Sequence, residues 1–156
     1  MRKAISGQLS AVSYEELAAR LRYPADPGMQ EVYVQTFEFN PACTLEIGWH
    51  LFGENYERGE FLVRMRGELR RYGIEESTEL PDHLTHLLPL VARMERAEAA
   101  RLAGEALLPA LEKMQVPEGN PYREILEGIL RKLKADFPDA PRRPAELPIF
   151  QEAALD

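Results

Sequence analysis

Cysteine is almost missing from this sequence: Cys43 is the only one in 156 residues, so no internal disulfide can form. That usage suits a reducing compartment. Histidine is scarce as well, with only His50, His83 and His86. No His-Glu-x-x-His pair occurs and no glycine-rich phosphate loop, which removes the common zinc-hydrolase and nucleotide-binding signatures. No apolar run approaches the roughly 20 residues of a membrane span. No apolar stretch follows Met1-Arg2-Lys3, so a secretory signal is not expected. The sequence therefore reads as a soluble protein of the cytoplasm. Basic charge is in deficit, with 19 Lys and Arg against 26 Asp and Glu and a net charge of −7. Such a surface repels phosphate backbones and argues against nucleic-acid binding. It suits ordinary solubility, and equally a basic partner peptide.

What is present is helical periodicity. Ser13-Tyr14-Glu15-Glu16 forms a capping-box pattern that opens a helix running to Tyr23, where Pro24, Pro27 and Gly28 end it. Residues 30–39 alternate enough to suggest a strand, but no second strand exists to pair with it, so a helix or extended connector is favoured. Asn40-Pro41 signals a helix start that would align Leu45, Trp49 and Phe52, with Gly53 as its stop. A helix from about Tyr56 to Tyr72 follows, ending at Gly73, with Phe61, Leu62, Met65 and Leu69 inward. Pro81 opens the next, with Leu84, Leu87, Leu88, Val91 and Met94 as its stripe. Pro109 is expected to kink the segment from Glu98 to Met114. Asn120-Pro121 begins a last amphipathic helix carrying Tyr122, Ile125, Leu126, Ile129, Leu130 and Leu133. The expected fold is an all-α, single-domain bundle of about six helices over residues 1–137. Residues 138–156 form a proline-rich tail in which Leu147, Ile149 and Phe150 have the character to dock on the core.

Chemistry-bearing clusters are few. Cys43 reads as a small core residue. Trp49 with Phe52 resembles an aromatic platform, but that spacing is usual for a core. Glu46 and His50 stand at i, i+4, and Asp82, His83 and His86 cluster elsewhere. A helical metal- or cofactor-binding protein using His50, His83 and His86 is therefore one functional reading, although the repeated Glu-x-x-His of di-metal bundles is missing. With neither a catalytic constellation nor a cofactor cradle, no enzyme is expected and no cofactor is assigned.

Three separated motifs are more specific. They are Tyr33-x-x-x-Phe37-Glu38, then His50-x-x-Gly53-Glu54-x-x-x-Arg58-Gly59, then Glu79-x-Pro81-Asp82-His83. In order and spacing, over about 60 residues, they resemble the nitrate-reductase delta-subunit (NarJ-type) branch of the TorD/DmsD family of molybdenum-cofactor assembly chaperones. Tyr122-x-x-Ile125-Leu126 resembles a weaker family segment, while both ends are shorter than the family pattern. The resemblance implies a redox-enzyme maturation chaperone. It would bind the N-terminal or twin-arginine signal region of a molybdopterin oxidoreductase catalytic subunit, and hold it for cofactor insertion before membrane attachment or export. It also implies that Glu79, Pro81, Asp82 and His83 serve the client peptide. Tyr33, Phe37, His50, Gly53, Arg58 and Gly59 are read as fold-maintaining. A homodimer formed by helix exchange at Pro109 or Pro117 is compatible with the sequence.

Overall fold

The computed structural model describes residues 12–142. Ser13 caps helix α1 (Tyr14–Arg20), its hydroxyl accepting the Glu16 N–H at 3.1 Å. This helix stops short of Tyr23. Asp26 caps α2 (Pro27–Tyr33), accepting the Met29 N–H at 2.9 Å. Pro27 thus opens a helix instead of closing one, because at the first helical position its missing N–H has no partner to lose. The ambiguous stretch after it is helical: α2 runs directly into a π turn, Val34–Glu38, closed by Phe39 N–H donating to Val34 O at 2.9 Å.

Asn40-Pro41 yields only a 3₁₀ turn, Pro41–Cys43, and not the expected helix. The chain then bends at Leu45 and is extended at Glu46, because tertiary hydrogen bonds outcompete local ones there. Leu84 N–H donates to Leu45 O at 2.8 Å and Ile47 N–H to Asp82 O at 3.0 Å, the bridge between Glu46 and His83. Helix α3 (Ile47–Phe52) begins after this bridge and ends at Gly53. There φ is +62°, a conformation that a side chain makes costly. Helix α4 (Tyr56–Arg71) closes at Gly73, as its spacing predicts.

Pro81 does not open a helix either. It sits buried in a turn, and α5 (Leu84–Arg93) starts three residues later with His83 as its cap. Helix α6 (Arg96–Leu102) passes through a second π turn, Ala103–Leu107, into α7 (Leu108–Lys113) without a break. The widened turn takes up the clash between the Pro109 ring and the preceding turn, so a π turn stands where a kink was expected. Asn120 caps α8 (Pro121–Asp136), accepting the Tyr122 N–H at 2.9 Å. With α6 and α7 counted as one, seven continuous helices occur among the described residues.

Helix α1 packs on α5 and α8, and α3 packs between α4 and α7. Leu17, Leu21, Phe61, Leu84, Leu87, Leu88 and Ile129 are fully buried, so the helical stripes meet in one core, although Leu62, read as inward, is only partly buried and lies outside it. No helix among the described residues is long and apolar enough to cross a membrane. Leu147, Ile149 and Phe150 lie outside the described residues, as does most of the proline-rich tail.

Candidate functional site

The bridge between Glu46 and His83 brings the loop before α5 against the start of α3. Asp82, the centre of the third motif, is completely buried there. Its Oδ2 accepts the Gly48 N–H at 2.9 Å and faces the Arg58 guanidinium at 3.4 Å. Arg58 in turn holds Glu46 Oε1 at 2.7 Å. Residues from the second and third motifs therefore form one ion network that clamps α3, α4 and the loop together. Burial holds the Asp82 carboxyl above the usual carboxylate range, an effect that Arg58 and the Gly48 N–H partly offset.

Gly48 makes this approach possible. A Cβ at position 48 would lie 2.6 Å from Asp82 Oδ2 and 2.8 Å from the Phe61 ring. Only glycine admits the carboxylate so close to the helix backbone. The sequence offers no local signal for this role, since Gly48 reads as an ordinary helix residue until Asp82 is placed against it.

The first motif supplies the opposite wall. The π turn puts Phe37 on the same side as Tyr33, and both pack edge-on against Tyr122, with ring centres 4.9 and 5.9 Å apart. Between these walls opens a cleft of 430 Å³. Its lining includes Tyr33 and Phe37 from the first motif, Arg58 from the second, and Glu79 and His83 from the third. Leu45, Trp49 and Pro41 contribute apolar lining, while Glu38, Glu46 and Glu79 contribute carboxylates. Burial raises the Glu79 carboxyl, and the charges of Glu46 and Glu38 raise it further. The three acids thus share one field, with Arg58 already committed to Glu46 and Asp82. A cation entering the cleft would relieve that repulsion.

His83 is buried beside this cleft. Its Nδ1 caps α5, lying 3.3 Å from the Thr85 N–H and 2.7 Å from the Thr85 hydroxyl, and its Nε2 faces Glu79 Oε2 at 3.3 Å. Burial, with His86 nearby, pushes the ring down to about 4, so it is neutral at pH 7. The unfolded chain binds this proton near 6.5, the folded chain only near 4. Stability contributed by the neutral ring is therefore full above pH 6.5 and is lost as the pH falls towards 4, about 3 kcal/mol in all. Asp82 and Glu79 act in the opposite sense at the acid end, because their folded carboxyls are raised. The measurement is urea unfolding of wild type and His83→Gln at pH 7 and 4.5. The variant is expected to lose less stability between the two; equal losses would show that His83 titrates alike in the folded and unfolded chain.

His50 and His86 have structural partners. His50 Nε2–H donates to Thr44 O at 2.6 Å, fixing the turn that precedes α3. His86 Nδ1 bonds Leu80 O at 2.8 Å and its Nε2 accepts the Ser77 N–H at 2.9 Å. Gly59 faces open space on the exposed side of α4, and nothing among the described residues explains a glycine there. Cys43 is buried, with Sγ 3.3 Å from Gln115 O. Among the described residues no group of three or more His, Cys, Asp or Glu is placed to hold a metal ion, so the metal-binding reading finds no assembled site.

The nitrate reductase delta subunit family model matches residues 8–123, which includes every residue of the cleft. The chain belongs to that family. It is 29% identical over 106 residues to the nitrate reductase molybdenum cofactor assembly chaperone NarJ of Escherichia coli K12, and equally to that of Escherichia coli O157:H7. Those alignments cover 67% of this chain and 45% of each relative, so the chain spans about half the length of the curated relatives it matches. No solved structure matches it.

Proposed function

We propose that this protein is a cytoplasmic assembly chaperone for a molybdopterin oxidoreductase of the nitrate-reductase kind, and that its cleft binds the N-terminal or signal region of the catalytic subunit. The observation that carries this reading is convergence. Three motifs separated in sequence line one cleft that mixes apolar side chains with three carboxylates, for which Arg58 is the only Lys or Arg in the lining among the described residues. A peptide with basic residues beside an apolar stretch matches both features.

In this reading Glu79 and His83 meet the client directly. Glu79 faces a basic side chain, and the neutral His83 offers a ring edge beside it. Pro81 and Asp82 act from behind, by fixing the loop that carries them. Recognition is non-covalent and reversible, and the chain carries out no catalysis of its own. Release for cofactor-loaded attachment or export requires a dissociation constant near the micromolar range, about −8 kcal/mol.

The test is calorimetric titration of the full chain with the N-terminal peptide of a reductase catalytic subunit from the same organism. Saturable binding is expected, weakened when the basic residues of the peptide are replaced by glutamine. A folded protein giving no saturable signal with any such peptide would defeat the proposal.

A further inference from the structure

Helix α4 turns one face to solvent along its whole length. Tyr56, Gly59, Val63, Gly67 and Arg70 recur every three or four residues, and all five are exposed. Two of them are large and apolar: Tyr56 is 82% exposed and Val63 72%. Among the described residues nothing lies within 4 Å of a Cβ built on Gly59 or Gly67. Each glycine weakens the helix relative to alanine and gains nothing inside the chain in return. Both instead leave the backbone open to a close neighbour. Arg58 and its ion network lie on the opposite side of the helix, so a neighbour on this face leaves the cleft free.

The charges on the helix select that neighbour. Its exposed acids, Glu57 and Glu60, lie in the N-terminal half, and its exposed arginines, Arg66, Arg70 and Arg71, in the C-terminal half. Two such helices side by side in parallel set like charges level; antiparallel, they set opposite charges level. The face is also symmetric in sequence about Val63. In an antiparallel pair with a two-fold axis at Val63, a residue some places before it lies level with the residue as many places after it on the second copy. Gly59 is then level with Gly67 of the second copy, where the backbones can approach closely. Tyr56 is level with Arg70 of the second copy, a ring against a guanidinium. Glu60 is level with Arg66 of the second copy. Within its own chain Arg66 gives only Nε and Nη2 to Glu76, which leaves Nη1 for another carboxylate.

We infer that α4 is a self-association face, on which two copies of this chain pair their α4 helices antiparallel about Val63. No helix is exchanged between the copies. One helix face from each falls short of the roughly 1,600 Å² of a standard stable interface, so the dimer is weak and forms only at high concentration. This inference does not depend on the chaperone reading.

The experiment is sedimentation equilibrium of the full chain over a range of concentrations, beside the variant Gly59→Leu/Gly67→Leu. Wild type should shift reversibly from monomer to dimer as the concentration rises. The double variant should associate at least about tenfold more weakly, because bulk forced into a packed contact costs that much. Its melting temperature should hold or rise, since both positions face open space and leucine favours a helix. Val63→Cys tests the register. Cys43 is fully buried, so mild oxidation should link two copies through position 63, which meets itself at the axis. A wild-type monomer at every concentration would overturn the inference and leave the face to an unlike partner. Unchanged association in the double variant, a fall in its melting temperature, or Val63→Cys chains that do not cross-link would overturn it as well.

Discussion

Replacing Asp82 by alanine is expected to cost about 3 kcal/mol of folding free energy, the range found when one member of a buried ion pair is removed. For a chain of this size that lowers the melting temperature by about 6–12 °C. The reason is in the partners left behind. The Gly48 N–H loses its acceptor, and Arg58, with only 15% of its side chain exposed, keeps a single carboxylate at Glu46. Asp82→Asn retains an acceptor for Gly48 and should fall between the two. Client binding should weaken in both variants in proportion to loop disorder, since Asp82 is fully buried and reaches the cleft only through the residues it holds. Thermal unfolding and peptide titration on the same samples separate these effects. A loss below about 1 kcal/mol for Asp82→Ala, within the range of an ordinary surface pair, would mean that the network is not what holds the loop.

Reversing charge at the cleft rim should do the opposite, changing binding and sparing stability. Glu38 and Glu79 are both exposed and neither is needed by Arg58, whereas Glu46 is. In Glu38→Lys/Glu79→Lys the repulsion that adds to the effect of burial on the Glu79 carboxyl disappears, which offsets loss of the Glu79 contact with His83, so the melting temperature should change little. Affinity for a basic client peptide should fall by about 100-fold, close to 3 kcal/mol for two reversed charges at a partly desolvated site. Wild-type affinity should also decline with added salt, and in the variant that dependence should vanish or reverse, because salt then screens a repulsion. If the double variant binds as tightly as wild type, the carboxylates do not face the client and the apolar lining alone must account for recognition.

The fate of individual sequence signals follows physical lines. Caps at Ser13 and Asn120 and stops at Gly53 and Gly73 were legible because each is settled by atoms within a few residues. Asn40-Pro41 and Pro81 misled for the complementary reason. Their local preference for a helix start is worth about 1 kcal/mol, and the two hydrogen bonds joining Leu45 to Leu84 at the start of α5 and Ile47 to Asp82 in the loop before it override it. Pro27 shows the ambiguity of proline itself, which ends one helix or begins the next according to the residue before it, here Asp26.

The sequence by itself determined the helical class, most helix ends, the absence of an internal disulfide and the three family motifs, because periodicity, capping and composition are written within short windows. Only the tertiary structure decided that those motifs share one cleft. It also decided that Asp82 is an internal clamp and not a surface acid, and that Gly48 makes room for it. Contacts across 34 residues depend on how helices pack, and packing is a property of the whole core.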